Sequence, residues 1–133
     1  NQKSKFRNQM TKEQLKSRFK VFALDVVQFA HQLPERPKAY GIIEGQVIRS
    51  STSAASNYRA ACRGRSIPDF IAKLGIVEEE LDETQFWLEF TVGISSEWRS
   101  KVAPLWREAD ELLSITVSSI KTARTNQQLN KKK

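Results

Sequence analysis

A heptad of apolar residues, drawn twice, constrains this chain more than any other feature. Leu15, Phe19, Phe22, Val26, Phe29 and Leu33 advance by alternating steps of four and three, and Phe70, Leu74, Val77, Leu81, Thr84 and Leu88 repeat the pattern. That alternation lays one apolar stripe along a helix and keeps it turned toward a neighbour over several turns. A strand would show period two, which neither segment has. A fainter version, Ile43, Val47, Ser50, Ala54, Asn57 and Ala61, keeps the step through a run of small residues. Near the C-terminus, Leu105, Ala109, Leu112, Thr116 and Ser119 form one row, and Trp106, Leu113 and Ile120 form another beside it. Four helices with short connections predict an all-α, antiparallel up-down-up-down four-helix bundle. At 133 residues the chain makes one domain with a core of its own.

Local signals set the expected boundaries. Helix one runs over 12–33, with Thr11 as N-cap, Gln14 three residues on as in a capping box, and Pro34 as the stop. Helix two starts near Pro37 to Tyr40 and ends near Arg63, with Gly64 as a left-handed cap. Gly41 and Gly45 weaken it by up to about 1 kcal/mol each relative to alanine. Ser66 caps helix three, Pro68 sits in its first turn, and Gly93 terminates it. Pro104 separates a short turn at 97–102 from helix four, 103–123. The domain plan is a flexible basic segment at 1–11, the bundle at 12–124, and a disordered basic tail at 125–133.

Several chemistries are excluded by composition. A bundle di-iron site needs Glu-x-x-His on two helices, and this chain has one histidine, His31, and no such motif. Cys62 is the single cysteine, which rules out an internal disulfide and a thiolate-rich zinc site and fits a reducing, cytoplasmic setting. No Gly-x-Gly-x-x-Gly or Walker-type loop is present to cradle phosphate. No run of eighteen apolar residues exists, so no membrane partner is expected. Asn1 to Gln9 are polar and basic with no apolar stretch behind them, unlike a secretory signal. The expectation is a protein without enzymatic activity, cofactor or metal.

Charge is more informative. The formal net charge is +7 and it is unevenly placed. Residues 1–20 carry seven basic side chains against Glu13 alone; 46–68 carry Arg49, Arg59, Arg63 and Arg65 and no acid; 121–133 carry five basic residues and no acid. The acids gather at 78–83 and 108–111. Clustered cations confer affinity for a phosphate backbone without sequence choice, so Arg49, Arg59, Arg63, Arg65, Lys121 and Arg124 are the candidate nucleic-acid contacts. Asn57, Tyr58 and Arg59, with Glu79 and Glu83 on helix three, form a candidate polar network in which a glutamate meets Arg59 inside the bundle and fixes register. Trp87 and Trp106 lie on apolar faces. Trp98, amid Ser95, Ser96, Glu97, Arg99 and Ser100, reads as an exposed aromatic, suited to base stacking or to a subunit boundary.

The block from Gly45 to Ala61, with Arg49-Ser50-Ser51-Thr52-Ser53-Ala54-Ala55-Ser56-Asn57-Tyr58-Arg59 at its centre, resembles the second helix of the four-helix-bundle proteins encoded in intervening sequences of 23S ribosomal RNA genes. Asp69-Phe70-Ile71-Ala72-Lys73-Leu74-Gly75-Ile76, Asp82-Glu83-Thr84, Trp87-Leu88-Glu89 and Glu108-Ala109-Asp110-Glu111-Leu112-Leu113 continue the likeness, which covers most of 12–124. The resemblance implies a homo-oligomeric ring, commonly a pentamer, with no established enzymatic activity. It also implies kinship with the accessory variability determinant protein of diversity-generating retroelements, a basic pentamer that binds its reverse transcriptase and is implicated in nucleic-acid binding. The implied partners are therefore further copies of the chain, RNA or DNA, or a protein such as a reverse transcriptase for which it acts as scaffold. Two positions depart from the pattern. Ala60 stands where relatives often carry an acid, and Phe86 where tyrosine is common.

Overall fold

The computed structural model describes residues 10–132 and, among them, four α-helices: α1 (Lys12–Ala30), α2 (Ala39–Cys62), α3 (Ile67–Ile94) and α4 (Arg99–Lys131), with a 3-10 turn at Ser96–Trp98 leading into α4. Each helix packs on the next in sequence, and of the four neighbouring pairs α1 and α4 touch least. Cross-helix contacts tie the neighbours together. Phe19 of α1 stacks on Tyr58 of α2 at 4.6 Å, Ser50 of α2 bonds Thr84 of α3 at 2.8 Å, and Gln85 of α3 reaches Asp110 of α4 at 3.3 Å. Every neighbour is antiparallel, as the sequence predicts. Among the described residues no helix is long and apolar enough to cross a membrane.

The heptads form the core. All six positions of the first are buried, as are Leu74, Val77, Leu81, Thr84 and Leu88 of the second. In α2 the stripe is small: Ser50, Ser51, Ala54 and Ala61 are all buried, which brings α3 close enough for the Ser50–Thr84 hydrogen bond. Thr84 also donates to the Glu80 carbonyl at 2.8 Å, so the pair adds no orphaned polar group to the core. On the poorly packed α1–α4 side, Arg18 grips Glu108 through two hydrogen bonds of 2.8 and 2.7 Å.

The caps at Thr11 and Ser66 form as the sequence predicts; Thr11 and Gln14 make the reciprocal capping box. Other ends differ. α1 stops at Ala30, and a turn carries the buried Leu33. Gly93 lies inside α3, which ends at Ile94 because Ser95 turns extended and its side chain accepts from the Glu97 N–H. Gly64 is not left-handed. Its value is space, since a Cβ there would meet the Ala61 carbonyl at 3.0 Å and Asp69 at 3.3 Å. Pro104 does not break α4, because Pro104 and Ser100 are both exposed and the carbonyl that loses its helical donor is left to water. The 125–133 tail, expected to be disordered, continues α4 as helix to Lys131. Residues 1–9 of the expected N-terminal segment, and Lys133, lie outside the described residues.

Candidate nucleic-acid interface

Antiparallel topology brings the start of α1, the end of α2, the start of α3 and the last third of α4 to one end of the bundle. An open cleft of about 700 Å³ marks the meeting, lined by Lys12 and Leu15 of α1, Ala61 and Cys62 of α2, Ile67 and Phe70 of α3, and α4 from Ile115 to Asn126. Among the described residues, cations from all three basic stretches of the sequence meet at this pole. Arg59, Arg63, Arg65, Lys121 and Arg124 all stand there and all are exposed, joined by Lys12, Lys131 and Lys132. The local acids are engaged: Glu13 pairs with Lys16, and Asp69 with Lys73 at 2.6 Å. The Lys73 ammonium, with the Arg65 backbone N–H, holds the Asp69 carboxyl below its usual range.

Arg49 does not belong to this pole. It sits mid-bundle, pairing with Glu80 at 2.9 Å and with Glu83. Its charge serves the α2–α3 contact, which corrects its place among the phosphate contacts. The predicted Asn57–Tyr58–Arg59–Glu79–Glu83 network does not assemble either. Asn57 donates back to the Ser53 carbonyl at 2.9 Å. Tyr58 is buried against Phe19, and its burial, with Cys62 alongside, raises the phenol above its ordinary range. Arg59 and Glu79 point outward, and among the described residues no ion pair joins Arg59 to either glutamate. A turn of 100° per residue separates Arg59 from buried Tyr58, which is why adjacent residues part company.

Trp98 is the clearest reversal. Only 8% exposed, it packs edge-on to Phe29 and Tyr40 at the opposite end of the bundle and donates from Nε1 to Tyr40 Oη at 3.0 Å. Its polar sequence neighbours belong to a tight turn that tucks the ring inward, so it cannot stack on a base. Sequence reasoning passed over the cleft residues Lys12, Ser118, Ser119, Thr122 and Asn126. The available signal was the three-four spacing of small polar residues beyond Ile115, on the face that continues the core row.

The sequence profile of the 23S rRNA-intervening sequence protein family matches residues 12–118. A solved structure, that of a protein of unknown function from the S23 ribosomal protein family of Bacteroides thetaiotaomicron, is 30% identical, covers 80% of this chain and 98% of that one, and superposes with a TM-score of 0.73. No curated protein matches the chain. With the profile spanning the bundle from α1 to the cleft wall of α4, the chain belongs to the 23S rRNA-intervening sequence protein family.

Proposed function

We propose that this protein is a non-enzymatic, homo-oligomeric accessory protein of the reducing cytoplasm that holds a nucleic-acid strand against its basic pole. The observation that carries the reading is the convergence of Arg59, Arg63, Arg65, Lys121 and Arg124 on one end, exposed and with the nearby acids already engaged. Such a surface neutralises phosphates and gives affinity without choosing a sequence.

Self-association rests on apolar surface that one bundle leaves over. Phe86 and Phe90 are 52% and 45% exposed on α3, and Val21 and Leu24 are 56% and 54% exposed on α1. Beneath the two phenylalanines, Trp87 Nε1 is buried with no hydrogen-bond partner among the described residues. A contiguous exposed aromatic patch is the kind of surface that a sister copy covers. Contact between unlike faces of successive copies closes into a ring, with a pentamer as the size the family resemblance implies.

Native mass measurement of the purified protein, with absorbance at 260 nm on the same sample, tests both parts. The expected result is an oligomer that retains nucleic acid at low salt and sheds it as salt rises. A lone protomer at high concentration refutes the assembly, and absence of binding at about 50 mM salt refutes the interface. A protein partner that stays bound after nuclease treatment would favour an adaptor role, for example toward a reverse transcriptase.

A further inference from the structure

The cleft at the basic pole offers chemistry that phosphate contact alone leaves unused. Its floor is apolar, made by Leu15, Ala61, Phe70 and Ile115. One wall is the α4 row of Ser118, Ser119, Thr122 and Asn126. Several hydroxyls elsewhere in the bundle are spent on the helix backbone: Thr52, Ser56, Thr84, Thr91, Thr116 and Thr125 each donate to a carbonyl three or four residues back. The four side chains of the cleft wall make no hydrogen bond among the described residues. They present donors and acceptors to the cleft itself. At the rim stand Lys12 and Arg65, and Lys12 Nζ lies 4.9 Å above the centre of the Phe70 ring. A ring face open to an ammonium is open to a flat group once the lysine turns toward a phosphate.

We propose that this cleft takes one unpaired nucleobase. The base lies against Phe70, its polar edge meets Ser119, Thr122 and Asn126, and the adjoining phosphate meets Lys12 and Arg65. The volume falls within the usual 300–1,000 Å³ range of small-ligand sites. Only a base free of its stack and its pairing partner can enter. The inference rests on the nucleic-acid reading of the basic pole and adds to it a preference for single strands.

The test uses the full chain and a short oligothymidylate carrying one central 2-aminopurine, compared with the same strand in duplex. The single strand binds at least about fivefold more tightly than the duplex, the lower end of what base stacking on an aromatic contributes, and the 2-aminopurine emission changes on binding only in the single strand. Ser119→Phe and Thr122→Phe each fill the cleft without altering charge. Either substitution, in a protein whose helical melting is retained, abolishes the single-strand advantage and the emission change and leaves duplex binding as it was. A folded filled variant that keeps the advantage overturns the inference. So does a native protein that binds both forms equally with unchanged emission, an outcome that leaves the basic-pole reading standing. A native protein that binds neither form overturns the basic-pole reading itself, and this inference with it.

Discussion

Arg49 and Arg63 look alike in sequence, one an arginine within α2 and the other at its C-cap, and the structure separates them. Arg63 is exposed at the pole, whereas the Arg49 guanidinium already lies between Glu80 and Glu83. Binding of a single strand should therefore depend on salt through Arg59, Arg63, Arg65, Lys121 and Arg124, each contributing about −0.7 to the slope of log affinity against log salt concentration. Together they give a slope of about −3.5, a loss of about a hundredfold between 50 and 200 mM salt. An oligomer that lays several poles on one strand makes the slope steeper, but the comparison between variants survives. Arg63→Ala removes about 0.7 of slope and weakens binding evenly across sequences. Arg49→Ala leaves the slope where it was and lowers stability instead. That loss is held to about 1 kcal/mol or less, since the arginine is 48% exposed and water screens the pair. Fluorescence anisotropy of a labelled strand over a salt series, with urea denaturation of each variant, measures both quantities. Equal slope losses in the two variants would refute the assignment of Arg49 to the α2–α3 contact, and a flat salt response would refute the interface.

Trp98→Phe removes the Nε1 donor and leaves the buried Tyr40 hydroxyl without it; the expected cost is about 1–2 kcal/mol, read from the urea midpoint, with strand binding unaffected. An unchanged midpoint would show that the hydrogen bond contributes nothing. Lys12→Glu and Arg65→Glu weaken strand binding, and because the dipole gain at the starts of α1 and α3 is offset by loss of the Lys12 contact with Phe70 and of the Arg65 attraction to Asp69, stability changes by less than about 1 kcal/mol. Undiminished binding in either variant contradicts the role given to these cations.

The sequence made the bundle legible because the heptads are strong and Thr11 and Ser66 are efficient caps. It misjudged Pro104 and Gly93 for different reasons. A proline costs little where the freed carbonyl faces water, and one-dimensional reading does not show which side of a helix is wet; a glycine frees no backbone group, and its cost of about 1 kcal/mol is small beside the packing of a 28-residue helix. Trp98 failed similarly, for a polar turn can fold an aromatic inward when Phe29 and Tyr40 wait beneath it. The candidate site was half legible. Runs of like charge were visible, but whether a given arginine met acid or solvent depended on the register of α2 against α3, which sets Arg49 beside Glu80 and turns Arg59 away from Glu79.

Helix electrostatics then decide which of the polar cations speak for a partner. Arg59 in the last turn of α2, Arg63 at its C-cap and Lys131 in the last turn of α4 stand where the backbone dipole favours positive charge, so helix stability accounts for them without a partner, whereas Lys121 and Arg124 lie too far from the end of α4 to gain from it. Lys12 and Arg65 stand at the starts of α1 and α3, where the dipole favours anions. A chain shaped only by helix stability would carry acids at both positions, as it does at the neighbouring Glu13 and Asp69. The same two cations border the cleft that Phe70 floors. An anion brought to that cleft would lie between both cations.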